Sequence, residues 1–272
     1  MITINIIDLH VHTVHSFDCD ESTPDKICKT AIEKGISHIA FCDHADLDMI
    51  ADGYNLYDDD AAFEDMLRAK EKYKDRLNVI CGVELGAANQ YPEMAEKLIN
   101  KHKYDYVLGS LHSLSGVPDF AYFKFEIAER RLCERLFERY LDELNELLDL
   151  NLFDTLAHLT YPIRYFMRGD KFVDLNNYKS EIDNILKKII KKGLTLELNT
   201  QGLRRDEKIT SPTYDIVERY YSLGGRNVCC GSDAHFLSDI VSHVEECQTK
   251  LKEIGFEDIT YYVNRKPQKS TL

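Results

Sequence analysis

The 272-residue sequence has no low-complexity tract, no Cys-x-x-Cys pair and no apolar run that approaches the length of a membrane span. The first absence argues against disorder, because 44% hydrophobic and 30% charged residues make an ordinary globular composition. Without cysteine pairs, the eight thiols are expected to be reduced and mostly buried. The lack of a long apolar run argues against a membrane-spanning helix.

Positive charge is also scarce, and this narrows the possible partners. Lys and Arg total 34 against 47 Asp and Glu, which gives a formal net charge of −13. Such a charge repels nucleic acid and anionic membranes, so we expect a small molecule as the partner. A small anion could bind only where cations or arginines reverse the local sign. Residues 1–10 lack the basic and apolar regions of a signal peptide, which predicts a cytoplasmic protein.

Short apolar runs alternate with helical patterns along the chain. The runs have the length of buried strands and lie near residues 4–9, 37–42, 78–83, 104–109, 153–157, 194–198 and 227–231. Residues 178–192, followed by Gly193, predict a helix that leads into a strand. The longer pattern at 124–150 predicts a packing helix, with partner binding as the lesser alternative. Repeated strand–helix units predict an α/β fold, a distorted seven-stranded parallel barrel, in a single domain over residues 1–272.

Six of the seven apolar runs are followed by side chains that can bind metal ions. These candidates are His10 and His12, His44, Glu84, His112, His158, and Asp233 with His235, and Asp18 lies in the loop after the first run. His10 and His12 are two residues apart on a strand, so both point to one face and can hold one ion together. Asp43 precedes His44 and suits a supporting contact to a ligand. Because the carboxyl ends of parallel strands meet at one end of a barrel, the pattern predicts a metal cluster there.

The number of candidate ligands indicates more than one ion. A catalytic zinc uses about three protein ligands plus water, whereas nine candidates are present. If the carboxylate of Glu84 bridges two ions, ten contacts divide into roughly three per ion, which predicts three divalent ions. Zn, Mn or Fe would suit the mixed imidazole and carboxylate ligands. A single histidine at a strand end is often structural, but chance would not confine structural histidines to one end of successive strands.

The order His-x-His, Asp-His, Glu, His, His and Asp-x-His resembles the polymerase and histidinol phosphatase (PHP) superfamily from residue 8 to about residue 235. Within that order, the segments HTVHSFD, GVELG, AHLTYP, ELNTQGLRR and GSDAH resemble the monofunctional histidinol phosphate phosphatases. The resemblance implies a distorted seven-stranded barrel with three divalent ions. It also implies hydrolysis of L-histidinol phosphate to L-histidinol and phosphate, a late step of histidine biosynthesis. The sequence departs from many relatives at Ser113, where they have a bulky apolar residue, so the substrate-facing loop is expected to differ.

The resemblance also implies how the ligands are shared. One ion would take His10, His12, Glu84 and Asp233, a second Glu84, His112 and His158, and the third Asp18, His44 and His235. The predicted catalytic residues are Glu84, Asp233 and His235. We expect a hydroxide that bridges the first two ions to attack phosphorus in line.

A dianionic substrate that approaches an acidic protein needs positive side chains besides the metal ions. Arg204, just after the sixth predicted strand, is the first candidate for a phosphate clamp, and Arg164 is the second. Asp43 completes the predicted substrate-binding set.

Three other functions fit parts of the pattern. The first is a phosphoesterase of the same superfamily that acts on another small ester, such as a nucleotide, a nucleoside bisphosphate or phosphotyrosine. The second is an amidohydrolase, but that class usually bridges its metals with a modified lysine, and Glu84 stands at the corresponding strand here. The third is a non-catalytic binding protein, which predicts missing ligands, whereas all nine positions are filled.

Overall fold

The computed structural model describes residues 5–54 and 57–272, and its central element is a nearly closed barrel of parallel strands. The barrel strands are β1 (Ile7–Val11), β2 (His38–Phe41), β3 (His44–Asp46), β4 (Asn78–Gly86), β5 (Tyr106–Ser110), β6 (Thr155–Leu156), β7 (Thr195–Asn199) and β8 (Val228–Gly231). Strands β2 and β3 share one position, since both pair with β4. The prediction of seven parallel strand positions is therefore confirmed, although residue 4 of the first predicted strand lies outside the described residues.

The barrel closes through hydrogen bonds beyond the end of β8. The strand order is β1-β2-β4-β5-β6-β7-β8, with β3 beside β4. Asp233 N donates to His10 O at 2.8 Å, and His12 N donates to Ala234 O at 2.9 Å. The seam between the first and last strands thus includes His10, His12 and Asp233, three residues that were predicted to bind metal. The break at residues 42–43 and the two-residue strand β6 distort the barrel.

Helices surround the barrel and present their apolar sides to it. They are α1 (Pro24–Glu33), α2 (Leu47–Ala51), α3 (Asp59–Tyr73), α4 (Pro92–Lys101), α5 (Arg130–Asp149), α6 (Tyr161–Arg168), α7 (Lys179–Lys192), α8 (Tyr214–Ser222) and α9 (Val244–Ile254). Helix α1 begins after Thr23, whose side chain accepts a hydrogen bond from Lys26 N. Helix α7 ends at Gly193, whose φ of 70° is a left-handed conformation that suits glycine. The predicted packing role of α5 is confirmed, because it buries Leu136, Tyr140 and Leu144.

The core lies within the barrel strands and between them and the helices. All five residues of β1 are buried, as are the five of β5 and the five of β7, which is typical of strands covered on both faces. All eight cysteines are buried and free, as predicted. Across residues 5–54 and 57–272, no helix is both long and apolar enough to cross a lipid bilayer.

A C-terminal hairpin, formed by β9 (Asp258–Val263) and β10 (Lys266–Thr271), was not predicted. The backbone N of Arg265, in its turn, donates to Asp105 O at 2.8 Å. Tyr262 OH donates to Asp154 O at 3.0 Å. Asp105 and Asp154 immediately precede β5 and β6, so the hairpin packs at the amino ends of the barrel strands. The predicted ligands lie at the opposite end.

Candidate metal centre

All nine predicted ligands lie at the carboxyl end of the barrel strands, and the structure brings them into one cluster. His10 and Glu84 lie within β1 and β4, whereas His112, His158 and Asp233 each follow their strand by two residues. Eight of the nine have at most about a tenth of the side chain exposed. Asp18, which reaches the cluster from the loop between β1 and α1, is the exception with 41% exposed.

The first group of ligands joins the two strands at the barrel seam. His12 Nε2 lies 3.3 Å from Asp233 Oδ1, and His10 Nε2 lies 4.0 Å from the same oxygen. Glu84 Oε2 lies 3.4 Å from His10 Nε2 and 3.7 Å from His12 Nε2. These four side chains therefore surround one small volume.

The second group uses the other oxygen of Glu84. Glu84 Oε1 lies 3.1 Å from His112 Nε2 and 2.8 Å from His158 Nε2. The two histidine nitrogens are 3.4 Å apart. Because one carboxylate oxygen faces the first group and the other faces the second, Glu84 has the geometry of a bridging ligand.

The third group lies nearer the solvent. Asp18 Oδ2 lies 3.1 Å from His235 Nε2 and 3.8 Å from His44 Nε2. The ring of His12 stacks against both histidines, with ring centroids 4.2 Å from His44 and 4.0 Å from His235. The third group is thus in contact with the first through His12 and also through Glu84, whose Oε2 lies 2.9 Å from His44 Nδ1.

The hydrogen bonding of these atoms tests whether the cluster fits metal ions. Among the residues that the structure describes, His10 Nε2 and His12 Nε2 are buried without a hydrogen-bond partner, and His44 Nδ1 and Glu84 Oε2 lie 2.9 Å apart without forming a hydrogen bond of good geometry. Buried polar atoms are rarely left unpaired, because desolvation without a partner costs free energy. All four face the same cluster, and imidazole nitrogen with carboxylate oxygen is a donor set for divalent transition metals. The residues therefore fit a divalent metal centre.

The charges within the cluster shift the pKa values of its members. Burial opposes ionisation of Glu84, but positive charge on His10, His112 and His44 holds its pKa well below the usual range. Burial likewise opposes ionisation of Asp233, whose pKa is nevertheless held low, chiefly by His10. Burial would lower the pKa of His44, but Glu84 raises it to about 9. Positive charge on His10, His44 and His112 thus balances the carboxylates, whereas burial lowers the pKa of His12 and His158. Bound cations would take the place of the protons.

Two buried carboxylates support the ligands and were missed by the sequence-based prediction. Asp46 Oδ1 lies 2.9 Å from His112 Nδ1, on the ring nitrogen that faces away from Glu84. Glu197 Oε1 lies 2.7 Å from His10 Nδ1. Carboxylates in this position orient a ligating histidine and fix its tautomer. A signal was available for both, since Asp46 follows His44 by two residues on one strand and Glu197 is an acid inside the apolar run LTLEL.

Asp43, predicted to bind substrate, lies in a different environment. Its carboxylate is fully buried and accepts hydrogen bonds from Thr13 N at 2.6 Å, Thr13 Oγ1 at 2.8 Å and Ser16 Oγ at 2.9 Å. Ser16 Oγ lies 3.0 Å from His12 Nδ1. Because these donors occupy the carboxylate, the geometry favours the predicted supporting contact to the ligand loop over contact with substrate.

The two predicted phosphate-binding arginines differ in what they contact. Arg204 Nη1 donates to Ser232 O at 2.7 Å, Nη2 donates to Asp233 O at 3.1 Å, and Nε lies 3.2 Å from Asp239 Oδ2. Its guanidinium therefore holds the backbone of the loop that carries a ligand. Arg164 is buried with Nη1 3.7 Å from Asp233 Oδ2, and its guanidinium lies 4.2 Å from the ring centroid of Tyr161. Arg164, the second candidate from sequence, is the one that faces the ligand cluster.

Comparison with known proteins identifies the class to which this fold and site belong. The PHP domain model matches residues 8–201, and the chain belongs to the PHP domain family. A probable histidinol-phosphatase of Clostridium acetobutylicum is 31% identical over 261 residues, which cover 93% of this chain and 97% of that protein. A probable histidinol-phosphatase of Thermotoga maritima is 30% identical over 252 residues, covering 93% and 94% of the two chains.

Solved structures show the same fold. The histidinol phosphate phosphatase of Lactococcus lactis subsp. lactis, described as complexed with zinc, L-histidinol and phosphate, superposes with a TM-score of 0.82. The match covers 98% of this chain and 100% of that one, at 20% identity. A second structure, from Listeria monocytogenes, has a TM-score of 0.77, covers 88% of this chain and 99% of that one, and is 19% identical. These matches confirm the predicted barrel architecture.

Proposed function

We propose that this protein is a metal-dependent phosphatase that hydrolyses L-histidinol phosphate to L-histidinol and phosphate. The two relatives at 30% and 31% identity are both described as probable histidinol-phosphatases, and the alignments cover nearly the full length of each. The observation that carries the proposal is the position of Glu84, whose two oxygens face two separate groups of histidines. In an in-line phosphoryl displacement, one oxygen attacks phosphorus while another leaves. Two ligand groups that share one carboxylate are suited to hold a metal ion near each of these oxygens. The predicted cytoplasmic location and single-domain organisation stay predictions.

The residues divide into three ligand sets in this proposal. The first set is His10, His12, Glu84 and Asp233, the second is Glu84, His112 and His158, and the third is Asp18, His44 and His235. When bound, divalent ions such as Zn²⁺, Mn²⁺ or Fe²⁺ lower the pKa of water and neutralise phosphate oxygens. Phosphate monoesters are among the slowest esters to hydrolyse in water, and their enzymes reach accelerations of about 10²¹. Glu84, Asp233 and His235 are the proposed catalytic residues because they would hold the ions that bind the reacting phosphate.

Arg164 is the proposed phosphate clamp. Its guanidinium is fixed by stacking on Tyr161 and by a hydrogen bond from Nη1 to Gln201 Oε1. Its Nε is buried and unpaired among the described residues, so a donor stays available for an anion. Arginine binds phosphate oxygens through two parallel N–H donors, which fixes the orientation of the group as well as its charge. The formal charge of −13 makes such a local positive group necessary for a dianionic substrate.

The test is phosphate release from a panel of esters by purified, metal-analysed protein. The panel contains L-histidinol phosphate, p-nitrophenyl phosphate, phosphoserine, phosphotyrosine and mononucleotides. The proposal predicts a kcat/KM for L-histidinol phosphate at least about 100-fold above that for each other ester. Protein with Glu84→Gln, purified in parallel, controls for a contaminating phosphatase. Metal-dependent hydrolysis that favours phosphotyrosine or a nucleotide would keep the phosphatase site and reject the substrate.

A further inference from the structure

Strand β7 is the one barrel position whose carboxyl end carries no predicted metal ligand. It instead carries Glu197 and Asn199, which are two residues apart and therefore lie on one face of the strand. Both side chains are about 1% exposed. A buried carboxylate is costly unless several donors satisfy it, so its partners indicate what the residue does.

The partners of Glu197 belong to two different ligand groups. Glu197 Oε1 lies 2.7 Å from His10 Nδ1, and Oε2 accepts a hydrogen bond from His158 N at 2.8 Å. His10 belongs to the first group and His158 to the second. Asn199 Nδ2 completes the arrangement, since it lies 3.3 Å from Glu197 Oε2 and 3.2 Å from Asp233 Oδ2.

Each contact fixes a property that metal binding needs. A carboxylate beside Nδ1 of His10 keeps the proton on that nitrogen, so the lone pair stays on Nε2, the atom that faces Glu84 and Asp233. The His158 backbone has φ of 22°, in a sparsely populated region for a residue with a side chain. The hydrogen bond from His158 N to Glu197 holds the backbone in that conformation. One carboxylate therefore orients a ring in one group and the backbone of a ligand in the other.

Gly231 allows the carboxylate of Glu197 to lie close to the side chain of His10. A Cβ at Gly231, on β8, would overlap both Glu197 Oε1 and the Cβ of His10. Only glycine leaves room for the carboxylate to reach the histidine at this point.

We propose that Glu197 is a positioning residue that couples the two ligand groups, so that its loss weakens metal binding in both of them. The inference rests on the metal centre of the proposed function and adds a residue that binds neither metal nor substrate. Glu197→Gln is the informative change because an amide offers one acceptor oxygen where the carboxylate offers two. The amide cannot accept from His10 Nδ1–H and His158 N–H together.

The experiment measures Zn²⁺ binding by metal-free protein in competition with a chromophoric chelator, with the bound zinc per chain counted by mass spectrometry. The matched control is Asp46→Asn, because Asp46 makes its hydrogen bond to the ring of one ligand, His112 of the second group, while its other oxygen lies 3.7 Å from His44 Nδ1, beyond hydrogen-bond distance. The inference predicts that Glu197→Gln weakens zinc binding about 10- to 100-fold at two sites, and Asp46→Asn by a similar factor at one. Gly231→Ala is expected to behave like Glu197→Gln.

Each outcome decides between the two proposals. Equal zinc affinity in wild type and Glu197→Gln overturns the inference and leaves the proposed function intact. Weaker zinc binding at only one site has the same two consequences. Wild-type protein that binds no zinc, manganese or iron overturns both. If Glu197→Gln does not fold, as judged by circular dichroism, Glu197→Asp is measured instead. Its shorter side chain cannot span His10 and His158, so unchanged affinity at both sites would equally overturn the inference.

Discussion

The two ends of the barrel differ in how their buried polar side chains are paired. At the amino end of the strands, Asp154 Oδ2 accepts from Val107 N at 2.9 Å and also pairs with Arg265 Nε, while Asp105 pairs with Cys81 N and Asn264 N. At the carboxyl end, buried histidine nitrogens have no partner within the described residues. The difference indicates that the amino end is held largely by internal hydrogen bonds and serves stability, whereas the carboxyl end is arranged for an external ligand.

Unfavourable backbone conformations also occur among the predicted ligands, although the hairpin turn at the amino end has left-handed residues of its own, Asn264 and Arg265. His158 and Asp233, both at the carboxyl end, have φ of 22° and 54°, which are unfavourable for residues with side chains. Such conformations persist where surrounding contacts hold them, and they concentrate at functional sites. The following changes separate the two ends, in order of decreasing effect.

The largest effect is expected at the carboxyl end, from Glu84→Gln. The change removes the negative charge that two ligand groups share, so we predict loss of bound metal and a fall in kcat/KM of at least about 10³-fold. Phosphate release and metal content measured on the same sample check the prediction. Glu93→Gln, on the exposed side of α4, is the control and should behave as wild type. Full activity with full metal content in Glu84→Gln would contradict the assignment.

Arg164→Ala should have the next largest effect on turnover. Removing a preorganised donor to a phosphate oxygen is expected to lower kcat/KM about 100-fold while leaving the metal content unchanged. Steady-state kinetics with L-histidinol phosphate, beside metal analysis, measure both quantities. Arg168→Ala is the matched control on the same helix, since Arg168 pairs with Glu207 away from the ligands. A kcat/KM equal to that of Arg168→Ala would remove Arg164 from the phosphate site.

Arg204→Ala should instead act through the ligand loop. Its loss leaves the carbonyls of Ser232 and Asp233 without their donor, which we expect to cost about 1–3 kcal/mol of stability. Metal content should fall, while the KM of the metal-loaded fraction should change little. Urea unfolding and metal-saturated kinetics test the two parts. A strong rise in KM with unchanged stability would restore Arg204 as the phosphate clamp.

At the amino end, Arg265→Ala should lower stability without changing the chemistry. The change breaks the ion pair with Asp154 that ties the hairpin to the barrel, at a cost of about 2 kcal/mol. The kcat of the folded protein should stay at the wild-type value because the hairpin is at the far end from the ligands. Lys266→Ala, at the exposed neighbouring position, is the control for urea unfolding. A fall in kcat/KM as large as the fall expected for Arg164→Ala would contradict the separation of the two ends.

The carboxyl end was more predictable from sequence than the amino end. Its ligands follow short apolar runs, and the geometry of parallel strands then brings such positions together whatever the details of packing. The hairpin was missed because β10 is exposed along nearly its whole length and has no apolar periodicity. Asp46 and Glu197 stand at recognisable positions in the sequence, but they were missed because an acid inside a buried strand does not show which side chain it contacts.

The arginines show a different limit of sequence-based prediction. Arg204 and Arg164 both follow strand ends, and position along the chain does not determine where a long side chain points. Arg204 turns to the backbone of residues 232–233, whereas Arg164 is directed to the ligands by stacking on Tyr161. Direct contacts in the structure reversed their order as candidates for phosphate binding.

The most direct test of the metal-dependent function is a metal titration of metal-free protein. Protein stripped with a chelator receives Zn²⁺ or Mn²⁺ in steps, and bound metal and hydrolysis of L-histidinol phosphate are measured in the same samples. The account predicts no turnover without metal and full turnover as the number of bound ions approaches about three per chain. Hydrolysis at an unchanged rate by the metal-free protein would contradict it, as would full metal loading without any turnover.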